Sequence, residues 1–494
     1  MVTNSGKYSP NLEMPESFNF NAEIFSASSD STTPVALYAN LRQIFPETLL
    51  LECVEPHTPE TASSFVCADA VARFSIKNGK AEIEREGRKI SEIDLTANSA
   101  VAAFDEFQNS IKIESGENND SSGLFGYVGF SAIPHFEDIR FAKLPPPDEQ
   151  IADMQFALYR FVFRFDHFRN SLTATKLSDA ESPLNTTIAL SDLFAKITRR
   201  RAVEFPFAAE GGETAEISDA DFAEIVRTCQ RHINRGDVYQ IVPSRKFAAK
   251  YRGDEFAVYR ALRRINPSPF LFFFDYGGFS LFGSSPEAQL LIKNKTATLH
   301  PIAGTYPRGK HESEDREFAA KLINDSKENA EHVMLVDLAR NDLGRHCSSV
   351  QVEKFKTVEF YSHVIHLVSQ VSGKLNEGVS ASQIFADTFP AGTLSGAPKY
   401  RAMQILNELE PSARSFYGGS VGFFGLDGSC TQAIMIRSFL ARKLQLIFQA
   451  GAGVVADSVP EKETAEVRNK LAALRRAIES AEKLHHRDTE AQRK

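Results

Sequence analysis

Two short stretches of the chain carry the same acidic device. Residues 327–332 read KENAEH and residues 462–467 read KETAEV, so Glu328 and Glu331, and far downstream Glu463 and Glu466, stand three residues apart. On a helix that spacing brings both carboxylates of a pair to one face. Read at 100° per residue, residues 326–342 put Glu328 and Glu331 on the stripe of Met334, Leu335 and Leu338. In a second helix from about Pro460, Glu463, Glu466 and Lys470 border a stripe of Val467, Leu471, Leu474 and Ile478. Carboxylates turned inward need a cation, a basic partner or a raised pKa. Oxygen donors without Cys or clustered His suit a hard ion such as Mg2+. Arg or Lys ion pairs answer the same need, and periodicity alone puts them ahead of a metal.

The elements that must position these groups belong to a chain of 494 residues, 42% hydrophobic and 24% charged, with net charge −8. Such a length implies several domains. No basic block of the kind that grips phosphate backbones is present, which argues against a nucleic-acid partner. The N-terminal MVTNSGKYSPNLEMPESF has no apolar core of a signal peptide, and no run of about 18 apolar residues occurs. A cytoplasmic location is the expectation, without membrane contact. Cys53, Cys67, Cys229, Cys347 and Cys430 are scattered and never in C-x-x-C, so free thiols are expected. There are 39 Phe and no Trp.

TLLLECVE (48–55) and FALYRFVFRF (156–165) read as strands, and 114–123 and 144–150 as loops. The acidic, Gly-containing 208–221 reads as a linker, after which Ser218 and Asp221 form a capping box for a helix that stops near Gly236. DVYQIVPSRKF (237–247) reads as a strand, and residues 270–292 as a Phe-rich hairpin about Gly277-Gly278. Strands and helices alternate without a βαβ rhythm, which predicts α+β with large, mainly antiparallel sheets.

Seven stretches then stand in order: HPIAGTYPRG (300–309), EHVMLVDLARNDLGR (331–345), HVIHLVSQVSG (363–373), FPAGTLSGAPKYRAMQIL (389–406), SFYGGSVGFFG (415–425), IMIRSFL (434–440) and QAGAGVVADSVPEKETAEVRNK (449–470). Together they resemble the chorismate-utilising enzymes, and within them the anthranilate synthase component I group. The likeness covers 218–480, and LLLEC with NPSPFLFF (266–273) extends it toward the N-terminus.

The resemblance implies two facing, mainly antiparallel sheets in a sandwich-like core with helices outside. It implies an N-terminal domain (1–212) holding part of a tryptophan pocket and a chorismate-binding domain (213–486), and the polar end of the sequence reads as a frayed tail (487–494). Glu331 and Glu466 become the implied Mg2+ ligands, with Glu328 and Glu463 supporting them. Arg437 and Tyr417 are implied to bind the enolpyruvyl carboxylate, beside Gly304, a backbone donor nest at Gly451-Ala452-Gly453 and the further anion contact Lys470. Glu287 matches the family's general acid and His366 the histidine of the elimination step, while Thr305 and Thr393 line the ring site.

Two positions bear on which member this is. Water-adding relatives place a basic Lys where this chain has Gln240, and aminodeoxychorismate synthases a nucleophilic Lys where it has Ala303. Gln240 with Ala303 implies conversion of chorismate and ammonia to anthranilate and pyruvate. No cysteine sits in a glutamine amidotransferase motif, so a separate amidotransferase subunit is implied as the ammonia source. Glu52, Cys53, Pro269, Phe270 and Leu271 correspond to the tryptophan inhibitor site, with Cys53, Phe270 and Leu271 replacing the family's Ser, Tyr and Met. A synthase that stops at the non-aromatic amine, and a non-catalytic chorismate or tryptophan sensor, are the alternatives.

Overall fold

The computed structural model describes residues 17–54, 62–114, 122–179, 188–199, 206–360 and 364–491, so the loop expected at 114–123 lies largely outside it. A first sheet runs through Phe207–Ala215, Ser244–Gly253, Gln445–Gly451, Ser438–Arg442, Ser280–Ser285, Phe270–Asp275, Thr48–Cys53 and Ser63–Lys77. A second runs through Met154–Asp166, Gly123–Val128, Ser420–Gly425, Cys430–Ile434, Ala288–Lys293, Thr296–Leu299 and Val364–Leu375. The long strands Ser63–Lys77 and Met154–Asp166 pair with each other and join the two sheets, with a register shift between Ala70 and Ala72. The pairings described are antiparallel, apart from Phe18–Ser28 with Ile111–Glu114.

Side chains alternate across each strand. Leu49, Leu51, Phe272 and Phe274 of the first sheet meet Phe125, Tyr127, Val421 and Ala433 of the second in an inter-sheet core. Leu50, Phe273, Phe282, Phe439 and Phe448 point the other way, under the helices Pro34–Leu41, Asp219–Asn234, Phe256–Ile265 and Lys399–Leu409. Helices Ala100–Ser110, Ser326–Gly344 and Ala381–Thr388 cover the outer face of the second sheet. Phenylalanine fills the aromatic role throughout: Phe282 lies 5.2 Å from Phe273 and 5.0 Å from Phe439, ring to ring. Truncating such a ring to Ala costs about 3–5 kcal/mol. The α+β class and the facing sheets follow from this alternation.

Several local expectations change. The stretch expected as a linker is a strand to Ala215, paired with Ser244–Gly253, because Phe207 has a core to enter. The Ser218–Asp221 capping box forms as expected. The strand expected over 237–247 is only Gln240–Ile241, followed by Ser244–Gly253 in another sheet, because Pro243 breaks the run. The buried stripe of Ser326–Gly344 is His332, Leu335, Val336, Ala339 and Leu343, so Met334, Leu338 and Glu331 lie at its edge. The final helix, Ala472–Ala491, continues past 487, where fraying was expected. Both sheets pair strands from either side of residue 212. Four of the five free cysteines are buried and Cys53 is half-buried. No helix among the described residues is long and apolar enough to cross a membrane.

Candidate active site

The chain passes between the sheets at two neighbouring places. Ser280–Ser285 continues through Pro286 and Glu287 into Ala288–Lys293, and Cys430–Ile434 continues through Arg437 into Ser438–Arg442. The crossings are stitched together, since Ile434 N–H donates to Glu287 O (3.0 Å) and Ser284 N–H to Arg437 O (3.1 Å). Arg437 is held at φ +49°, left-handed backbone of the kind that concentrates at functional sites. Topology thus sets a carboxyl beside a guanidinium where neither strand ladder claims the side chain.

Burial pushes the Glu287 carboxyl up to about 7, against the opposing pull of a hydrogen bond from Thr393 and the positive fields of Arg437 and Lys470. Thr393 Oγ1 donates to Glu287 Oε1 at 3.0 Å. Thr393 rides on the one-turn helix Gly392–Ser395, reached by the Leu338 side chain at the edge of the Ser326–Gly344 stripe. A carboxyl poised near neutrality can donate a proton at physiological pH.

His366 lies on Val364–Leu375 and pairs in register with Thr305, after a bulge between Ala303 and Thr305. The bulge needs Gly304, whose φ is +75°. It turns the Gly304 carbonyl toward the imidazole, 3.1 Å from Nδ1. A ring nitrogen facing a carbonyl must donate, which makes Nε2 the accepting nitrogen. Burial, with Arg437 and Lys470 nearby, lowers His366 to about 4, so the ring is neutral. The same two cations, Arg437 and Lys470, act electrostatically on both Glu287 and His366. The Thr305 side chain lies outside the described part.

One carboxylate of each acidic pair, Glu331 and Glu466, is linked to the 451–453 segment. Glu331 Oε1 accepts from Gln240 Nε2 at 2.7 Å, and a Cβ on Gly453 would sit 2.9 Å from that Nε2 and 4.0 Å from Glu331 Oε1. Glu466 pairs with Lys470 at 2.8 Å, and Lys470 Nζ also donates to Gly451 O at 2.9 Å. Glu463 is buried and Glu466 half-exposed. Glu328 approaches Gly304, where a Cβ would lie 3.5 Å from its Oε2. Among the described residues no three His, Cys, Asp or Glu side chains form a ready ion cage. That donor chemistry still fits Mg2+, which is commonly held by one or two carboxylates together with substrate oxygens.

Gln240 is buried in Gln240–Ile241, pairs with Ala397 of the LSGAPK stretch, and its Oε1 has no hydrogen-bond partner. Tyr417 is buried, its phenol pushed up to about 12 by burial while a backbone hydrogen bond from Gly451 opposes. The expected nest at 451–453 is narrower than the sequence implies. Ala452 N–H is spent on Pro243 O (3.1 Å) and Gly451 serves Tyr417, leaving the Gly453 N–H as the segment's candidate anion donor.

The residues matched to an inhibitor pocket gather elsewhere, where Cys53 pairs with Phe270 and Glu52 with Leu271. Glu52 accepts from Tyr259 Oη (2.7 Å) and from Arg263 Nε and Nη2 (2.8 and 2.7 Å). Cys53, Pro269 and Phe270 line an open groove of about 1950 Å³ that also touches Pro286 and Ala288, the neighbours of Glu287. Sequence reasoning missed the buried pair Arg414–Glu410 behind the site. In EPSAR the two charges flank a proline beyond a helix end, where no periodic pattern signals burial.

A family model described as chorismate binding enzyme matches residues 25–476. The chain is 36% identical to anthranilate synthase component 1 of Geobacillus stearothermophilus, over 92% of this chain and 93% of that one. It is 37% identical to the protein of that name from Thermus thermophilus, over 92% and 97%. Among solved structures, anthranilate synthase component I from Streptococcus pneumoniae superposes with TM-score 0.70 at 32% identity, covering 83% of this chain and 92% of that one. The menaquinone-specific isochorismate synthase from Escherichia coli, 18% identical with TM-score 0.71 over 94% and 96%, shares the fold. This chain belongs to the chorismate binding enzyme family.

Proposed function

We propose that the chain is the large component of an anthranilate synthase. It adds ammonia at C2 of chorismate, expels the C4 hydroxyl as water, and eliminates pyruvate to leave anthranilate. The observation that carries this reading is Glu287, a carboxyl raised to about 7 beside Arg437 and within hydrogen-bond reach of Thr393. Hydroxide is a poor leaving group, and a protonated Glu287 supplies the proton it needs. Arg437 and Tyr417 take the enolpyruvyl carboxylate, the guanidinium matching its two oxygens. His366, neutral and accepting at Nε2, takes the ring proton as the enolpyruvyl group departs. Gln240 offers no basic side chain to activate water, whereas ammonia is already a nucleophile.

Glu331 and Glu466, supported by Glu328 and Glu463, would hold Mg2+, which when bound offsets the charge of the ring carboxylate. The names of the relatives support a partner: a component 1 implies a second component, here a glutamine amidotransferase delivering ammonia. The groove at Cys53, Pro269 and Phe270, with Glu52 and Leu271 behind it, is the proposed tryptophan site for feedback inhibition. The test is turnover of purified chain with chorismate, Mg2+ and ammonium, read as anthranilate fluorescence. Glutamine alone should give none, and robust glutamine-dependent turnover by the lone chain would sink the partner claim.

A further inference from the structure

Arg414 is 3% exposed and Glu410 5%. Glu410 accepts from Arg414 Nε at 2.9 Å and Nη2 at 2.7 Å. The remaining reach of the guanidinium is directed at two main-chain carbonyls. Nη1 donates to Leu394 O and Nη2 to Val242 O, both at 2.7 Å. Leu394 follows Thr393, and Val242 stands two residues after Gln240. The guanidinium carbon also lies 4.7 Å from the Phe130 ring and 5.6 Å from the Tyr417 ring. Glu410 in turn accepts from the N–H and hydroxyl of Ser244, at 2.8 and 2.6 Å, and Ser244 pairs in register with Gly451.

We propose that Arg414, clamped by Glu410, is a positioning residue that fixes Thr393, Gln240 and Tyr417 relative to one another. A buried ion pair adds little net stability over a well-packed apolar pair, so its stability alone does not account for where the arms end. They end on the two segments that carry Thr393 and Gln240, under the ring of a third site residue. The role requires a planar fork. Arg414 serves four oxygens in fixed directions, and a lysine ammonium has three donors on a single nitrogen. Arg414 itself acts through others, and Glu287 feels it by way of Leu394 O, Thr393 and the 3.0 Å bond from Thr393 Oγ1.

The test follows the Glu287 carboxyl by 13C NMR titration of the full chain, with the signal assigned from Glu287→Gln. The groups facing Glu287 are Thr393, Arg437, Lys470 and Tyr417; Thr393 reaches it by a hydrogen bond and depends on the Leu394 anchor, and Tyr417 lies under the Arg414 guanidinium. Arg414→Lys should raise the titration midpoint, because the bond that favours the ionised form is loosened. Thr393→Val should raise it at least as far, and the double variant should shift it by less than the two single shifts summed. A folded Arg414→Lys protein with an unmoved midpoint, or shifts that sum in the double variant, would overturn the proposal. If Arg414→Lys does not fold, Glu410→Gln unclamps the same arginine and must move the midpoint in the same direction. No movement there overturns the proposal equally.

The kinetic arm rests on the reading of Glu287 as the acid. Arg414→Lys should lower kcat about 10²-fold, the scale of a roughly 1 Å misplacement. The titration needs no substrate, so it decides the positioning role apart from the reading of the reaction.

Discussion

Glu287 and Ile434 are joined backbone to backbone, the Ile434 N–H donating to the Glu287 carbonyl at 3.0 Å. This bond locks together the two places where the chain crosses between sheets, and so fixes a carboxyl and the Arg437 guanidinium on one rim. Glu287→Gln keeps the shape and removes the proton. General acid catalysis supplies about 10²–10⁴-fold, so kcat for anthranilate formation should fall by that order with chorismate affinity little changed. Steady-state kinetics at saturating ammonium checks it.

The same carboxyl gives a stability signature. Its folded pKa of about 7 lies above the ordinary 4.5, so between those values the folded state binds more protons and stability falls as pH rises. Glu287→Gln should therefore raise the thermal midpoint above pH 7, with the advantage fading toward pH 4.5. Melting curves across that range decide it, and a variant less stable at pH 8 would contradict the buried-acid assignment.

Glu287 must be protonated and His366 neutral in the active form. With His366 lowered to about 4 and Glu287 raised to about 7, kcat/KM at constant free ammonia should be bell-shaped, with limbs near those two values. His366→Ala should lower elimination and let a non-aromatic amine accumulate. For stability the sign opposes that of Glu287: the folded histidine binds protons less readily than the unfolded one, so stability is lost as pH falls from about 6.5 to about 4.

Much of this was legible in the sequence. The continuous apolar runs of Thr48–Cys53 and Phe270–Asp275 read as strands, and Val467, Leu471, Leu474 and Ile478 form the buried stripe that periodicity predicts. What the sequence hid depends on partners distant in the chain. The 208–221 stretch looks like a linker because its strand identity comes from pairing with Ser244–Gly253. Ala452 looks like a free donor until Pro243 is folded against it. Arg414 and Glu410 look like solvent-facing charges, and burial alone turns them into a clamp.

The acidic pairs predict a dependence on metal. Chelation should abolish turnover, and Mg2+ should restore it. Glu331→Gln and Glu466→Gln should each raise the Mg2+ concentration needed for half-maximal rate by about 10-fold or more, the scale of losing one charged interaction of 1.4 kcal/mol. An unchanged Mg2+ requirement in Glu466→Gln would remove that residue from the ion's shell.

The chain has no tryptophan of its own, so red-edge fluorescence reports added tryptophan without background. Saturable binding should appear, and Phe270→Tyr and Cys53→Ser should change its affinity, since a thiol is the weaker hydrogen-bonding group. Tryptophan that neither binds nor inhibits at millimolar concentration would refute the regulatory site.

Product analysis of the wild-type chain and Glu287→Gln, each with chorismate, ammonium and Mg2+, bears most directly on the whole account. Anthranilate and pyruvate in equal amounts from the wild type, and neither from Glu287→Gln at comparable times, is the predicted result. Isochorismate from the wild type, or undiminished anthranilate from Glu287→Gln, would contradict it.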